Sequence, residues 1–136
     1  MRTVLIDQPG TVYVGTVPDP VLPGPDGAIV QITTAAICGS DLHARHHCDH
    51  MAGLMARSGF QGFMRAGDDV VFGHEFVGEI VANGPGTTGR FAPGTMVTSM
   101  PMTIAGTTVH GLGYNPDIAG AYAEYIPLAE RMLLPV

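Results

Sequence analysis

Ala28-Ile29-Val30-Gln31-Ile32-Thr33-Thr34-Ala35-Ala36-Ile37-Cys38-Gly39-Ser40-Asp41 is the stretch on which the reading of the fold turns. Its first ten residues are rich in β-branched side chains, which are stiff at χ1 and pack well on a pleated surface. Residues 28–37 therefore predict a long buried strand. At Cys38-Gly39 that strand ends and a turn or short helix begins, with Ser40 or Asp41 placed to cap it. So long a strand needs partners, and the sequence on both sides offers them.

Upstream, Pro18-Asp19-Pro20-Val21-Leu22-Pro23-Gly24-Pro25-Asp26-Gly27 can hold neither a helix nor a central strand and reads as a connector. Before it, residues 4–7 and 11–17 read as strands separated by the Pro9-Gly10 turn. Downstream, Met51, Leu54 and Met55 have i, i+3, i+4 spacing with Asp49 as a cap, which predicts a short helix ending near Gly59. Strands are then expected at 70–72 and 75–82, flanking Gly73-His74, with Asn83-Gly84-Pro85-Gly86 closing the segment. Further strands are expected at 95–100, 107–110, 121–126 and 132–134. Short strands with Gly/Pro punctuation and one or two short helices imply a mainly β, barrel-like domain covering 1–136.

Composition agrees. Nineteen Gly and eleven Pro in 136 residues mean many turns, while 46% hydrophobic and 13% charged residues are too apolar for a disordered chain. A mean hydropathy of +0.25 suggests that part of the apolar surface packs against something else. Twelve acidic residues against six Arg and no Lys give a net charge of −6, so there is no basic patch for nucleic acid. No apolar run approaches the roughly 18 residues of a membrane span, and the N-terminal apolar run is too short for a signal peptide. A cytoplasmic location is expected. Cys38 and Cys48, the only two cysteines, are expected to be reduced thiols.

Three groups of residues bear on chemistry. Gly84-Pro85-Gly86-Thr87-Thr88-Gly89 matches the G-x-G-x-x-G dinucleotide pattern, but Arg90-Phe91-Ala92-Pro93-Gly94 cannot supply the helix that must follow it. It reads as a turn. His43-Ala44-Arg45-His46-His47-Cys48-Asp49-His50 holds metal-binding residue types, yet consecutive side chains rarely converge on one centre, and a polar surface turn is the expected reading. The third group pairs Cys38-Gly39-Ser40-Asp41-Leu42-His43 with Gly73-His74-Glu75-Phe76-Val77-Gly78-Glu79. Cys, His and Glu are all Zn²⁺ ligands, and a catalytic site keeps one position open. Taken singly, Cys38 also reads as a small core residue, His74 as a satisfied core histidine and Glu75 as a salt-bridge partner.

The two segments together resemble the catalytic-zinc signature of the medium-chain dehydrogenase/reductase superfamily, in particular its zinc-dependent alcohol, polyol and threonine dehydrogenases. Pro93-Gly94-Thr95-Met96-Val97 and Gly120-Ala121-Tyr122-Ala123-Glu124-Tyr125 are similar to further segments of that family. The resemblance implies a GroES-like, partly open β-barrel with a few short helices. It implies Zn²⁺ held by Cys38 and His74, with Glu75 a ligand or just beyond the ligands. Ser40 matches the hydroxyl that touches the alcohol oxygen, and His43 the next member of a proton relay. A small-molecule alcohol or carbonyl substrate and NAD or NADP are implied, with no nucleic acid or membrane partner and a homo-oligomer in the full-length form.

Three departures stand out. Segment 44–71 is longer than usual, and its Met51, Leu54, Met55, Phe60, Phe63 and Met64 either line a substrate pocket or pack on the barrel. No four-cysteine structural zinc lobe is present. The chain stops where the family normally crosses into its Rossmann domain, so the cofactor domain is expected to lie outside it, leaving this part inactive alone. The alternative reading is a non-catalytic GroES-like binding or assembly module, and within enzymes a zinc-free quinone-reductase-like relative.

Overall fold

The computed structural model describes residues 1–6 and 10–136. The expected strand end at Asp7 and the Pro9 half of the Pro9-Gly10 turn lie outside the described residues. Among those described, β-structure predominates: β1 (Arg2–Ile6), β2 (Val12–Thr16), β3 (Gly27–Ala36), then one helix, α1 (Gly39–Arg57), then β4 (Val70–Val71), β5 (Glu75–Asn83), β6 (Met96–Ser99), β7 (Met102–Ala105), β8 (Thr108–Gly111), β9 (Tyr125–Ala129), a 3₁₀ turn (Glu130–Met132) and β10 (Leu133–Pro135).

The strands form an antiparallel five-stranded sheet in the order β10-β6-β5-β3-β9, a three-stranded sheet β2-β1-β4 and a β7-β8 hairpin. The 28–37 strand is the one that organises the larger sheet: β3 pairs with β5 on one side and β9 on the other. Register shifts interrupt the β3–β5 ladder at Ile29/Val30 and Ile32/Thr34, and Thr33 donates its hydroxyl to the Val77 carbonyl within the second irregularity. Val30, Ile80, Val97, Leu112, Ile126, Leu128 and Leu133 are fully buried between these strands, with Phe76 and Phe91 beside them.

A second apolar cluster holds the helix. Ala44, Cys48 and Ala52 recur every four residues along α1 and are buried with Ile6, Met64, Val70 and Phe72. Small side chains at those positions let the helix lie close to the sheet. No helix among the described residues is long and apolar enough to cross a membrane.

Several local expectations are corrected. The turn after β3 and the short helix around 51–55 are one helix, broken by a non-helical residue at His47 (φ −138°, ψ 38°). Its N-cap is Cys38 rather than Ser40 or Asp41, because the Asp41 carboxylate reaches back to accept the Cys38 N–H at 3.0 Å. Residues 121–124 form bends around a single bridge residue and do not begin β9. The N–H groups of Gly120, Ala121 and Tyr122 instead bond to the carbonyls of Val71, Gly73 and Phe72, and Ala123 bridges to Thr3, tying the two sheets together. β7 was not expected, since it is only four residues between Pro101 and Gly106 and the residue it buries is the polar Thr103. The glycine motif at 84–89 is a turn, with the Thr87 N–H on the Gly84 carbonyl at 3.2 Å.

Candidate metal centre

Cys38 and His74 are 36 positions apart in the chain, and the β3–β5 register brings them together. Ala36, near the end of β3, sits opposite Glu75, the first residue of β5. The chain leaving β3 and the chain entering β5 therefore meet at one edge of the barrel. Gly73 fixes the approach of His74. It has φ +99°, and a Cβ there would lie 2.5 Å from the Tyr122 ring, so only glycine fits.

Ligand atoms of Cys38, His74 and Glu75 all lie within 4.8 Å of one another. His74 is largely buried, Cys38 is half-buried and Glu75 exposed, so the group opens on one side. The His74 Nδ1 is 3.3 Å from Asp41 Oδ1, an ionic contact too poorly aligned to count as a hydrogen bond. On the other side of the ring, Nε2 is 3.4 Å from Ser40 Oγ.

Behind these residues lies a polar knot. The Tyr122 hydroxyl donates to Asp41 Oδ2 at 2.8 Å. Tyr114 Oη lies 2.8 Å from Ser40 Oγ and 3.0 Å from Asp41 Oδ1, and its ring stacks on Phe63 and leans against His74. Tyr114 has one proton and two acceptors in reach. The charged carboxylate is the stronger acceptor, which leaves the Ser40 hydroxyl free to donate towards Tyr114 or into the cavity.

The electrostatics favour a cation. The Asp41 carboxylate raises the His74 imidazole to about 9, burial opposing it and Cys38 adding to it. Hydrogen bonds from Ser40, then from His74, hold the Cys38 thiol below its ordinary value. Burial works to raise the Asp41 carboxyl, but contacts with His74, Tyr122 and the Cys38 N–H keep it low. Burial pushes both tyrosine hydroxyls up, so Tyr114 and Tyr122 stay protonated. A thiolate-prone sulfur, an imidazole and a carboxylate around one open point form a donor set of borderline softness that suits Zn²⁺.

The group borders a cavity of 640 Å³ lined by Ser40, His74, Glu75, Met51, Met55, Phe60, Phe63, Phe76 and Met102, with Thr98, Ser99 and Asn115 among its polar residues. Of the apolar residues of segment 44–71, Met51, Met55, Phe60 and Phe63 face this cavity. Met64 is fully buried in the core and Leu54 is exposed. Ser40 is thus brought to the centre. His43 is exposed one turn further along α1, its ring 4.9 Å from that of His47. The histidine tract is helical rather than a turn, with Cys48 buried beneath it. Sequence reasoning gave Asp41 only a capping role and missed Tyr114 altogether. Tyr122 stood inside a quoted segment, but nothing there signalled its bond to Asp41.

This chain belongs to the alcohol dehydrogenase GroES-like domain family, whose model matches residues 24–136. It is 35% identical over 153 positions to a probable zinc-binding alcohol dehydrogenase of Mycobacterium tuberculosis, an alignment that spans all of this chain and 35% of that protein. With scyllo-inosose 3-dehydrogenase of Thermotoga maritima it shares 32% identity over 133 positions, 85% of this chain and 31% of the other. Among solved structures, the alcohol dehydrogenase from Thermus sp. ATN1 covers the whole chain with a TM-score of 0.75 at 28% identity, over 40% of its own length. That of Aeropyrum pernix covers it with a TM-score of 0.78 at 23% identity, again over 40% of its length, a likeness of fold. The chain spans about a third of the length of these curated relatives.

Proposed function

We propose that residues 1–136 are the catalytic domain of a zinc-dependent oxidoreductase that interconverts an alcohol and a carbonyl compound, its NAD or NADP held mainly by residues outside this chain. The observation that carries this reading is the convergence of Cys38, His74 and Glu75 within 4.8 Å at the mouth of an apolar cavity. A purely structural module has no use for such a trio beside Ser40. Cys38 and His74 would hold the zinc, with Glu75 as a third ligand or a neighbouring anion. When bound, zinc supplies a Lewis acid and the nicotinamide a hydride acceptor.

The chain's own residues do the rest. Asp41 keeps the His74 ring oriented through Nδ1, leaving Nε2 for the open point. Ser40 Oγ, at the cavity wall, takes the proton that an alcohol must lose and passes it outward. Tyr114 Oη fixes that hydroxyl from behind, and His43, exposed on α1, is the outer base of the path. The methionine and phenylalanine walls exclude water and suit an alcohol with apolar substituents. Elemental analysis tests the reading. Added zinc should bind with one equivalent dependent on Cys38 and His74, and Cys38→Ser or His74→Ala should abolish it. Zinc uptake unchanged by both substitutions would show the metal to be elsewhere.

A further inference from the structure

Four of the six histidines, His43, His46, His47 and His50, lie within eight residues of α1 and are all exposed. Three of them, at i, i+4 and i+7, share one face of the helix. The ring of His43 is 4.9 Å from that of His47 and 6.3 Å from that of His50, so His43 stands between the other two. Two imidazoles on one ion, with metal–nitrogen bonds near 2.0–2.1 Å, have ring centres roughly 4.5–5.2 Å apart for octahedral to tetrahedral angles. The His43–His47 pair already has that separation. His50 has to swing towards both other rings, a side-chain rotation open to it at the surface, because the three do not meet at one point in the observed rotamers. His47 is itself the non-helical residue (φ −138°, ψ 38°) within this otherwise helical segment. Paired histidines four apart on a helix are a recurrent metal-binding arrangement.

We propose that His43, His47 and His50 form a second metal site, for a divalent transition ion with imidazole preference, separate from the Cys38–His74–Glu75 group. Cys48, in the same tract, is not a ligand because it is buried under the helix. The site is all nitrogen and open to solvent, so affinity should follow the order Zn²⁺ and Ni²⁺ below Cu²⁺. Occupancy would also take the lone pair of His43. That consequence for the proton path rests on the function proposed above, whereas binding itself does not.

The test removes the first site and asks what remains. The Cys38→Ser/His74→Ala chain, its fold checked by circular dichroism, is titrated calorimetrically with Ni²⁺. One equivalent is expected at micromolar affinity, weakened on the order of tenfold by His47→Ala and less by His50→Ala, with thermal stability of the metal-free chain unchanged. The Cu²⁺ complex should show two or three nitrogen couplings by electron paramagnetic resonance. If the double variant does not fold, the wild-type chain is titrated with Co²⁺, where the Cys38 site gives thiolate charge-transfer absorption and the histidine site does not. Loss of all binding with the first site removed, or affinity unmoved by His47→Ala and His50→Ala, overturns the proposal. Failure of the Cys38 site alone leaves it standing.

Discussion

Replacing Asp41 by Asn should change how tightly the centre holds zinc, and how that hold depends on pH. In the metal-free chain Asp41 sits 3.3 Å from His74 and raises its imidazole from 6.5 to about 9. Zinc must displace that proton. At pH 7 the displacement costs about 3 kcal/mol, or about a hundredfold in affinity, and the cost vanishes as pH approaches 9. Linkage has the opposite sign for the metal-free fold. The protonated imidazole contributes its full stability below about pH 6.5 and loses it as pH rises through about 9. Histidine-selective NMR titration reads the imidazole directly, and competition with a chromophoric chelator at pH 7 and 9 reads the affinity. In Asp41→Asn the imidazole should titrate well below its wild-type value, since burial then opposes only the smaller raising effect of Cys38, and the His74 part of the pH slope above 7 should shrink. A wild-type His74 that titrates near 6.5, or an unchanged titration in Asp41→Asn, would refute this account of the site.

Three further outcomes follow from the geometry. Cys38, half-buried with its thiol held low by Ser40 and His74, should react with iodoacetamide much faster than buried Cys48, and zinc should protect it; mass spectrometry of the labelled peptides decides. Gly73→Ala combines a left-handed φ of +99° with a Cβ 2.5 Å from Tyr122, so urea denaturation should show a loss of about 2–5 kcal/mol. Tyr114→Phe removes the hydroxyl 2.8 Å from Ser40 and leaves the ring contacts with Phe63 and His74; zinc stoichiometry should stay intact. When the chain is joined to a nicotinamide-binding domain, turnover should drop and its pH profile shift, and a silent substitution would remove Tyr114 from the proton path.

The sheet was legible from the sequence where β-branched residues cluster, as in 28–37, and where turns carry Gly and Pro. It was less legible at 121–129, because hydrogen bonds from 120–122 to Val71, Phe72 and Gly73 claim a segment whose pattern reads as one strand. The helix was seen as two pieces, since its buried stripe of Ala44, Cys48 and Ala52 is too small in side chain to stand out among polar neighbours. At the site, Cys38, His74 and Glu75 were visible by residue type and resemblance. Their meeting depends on Ala36 standing opposite Glu75, a register no local pattern encodes. Tyr114 was invisible because its role comes from a loop packed across the barrel, 74 positions from Ser40.

The outermost strands of the five-stranded sheet, β9 and β10, each contain a proline, Pro127 and Pro135. Neither residue has an N–H to offer, so the outer row of donors is interrupted on both strands, and on β9 the outward N–H of Ala129 is already taken by the Thr103 hydroxyl. A neighbouring molecule seeking to lengthen the sheet would find its ladder broken at both margins. Crowded copies of this domain are thereby steered away from strand-by-strand stacking into fibrils, and any association is left to side-chain surfaces, where charge and shape can discriminate between partners.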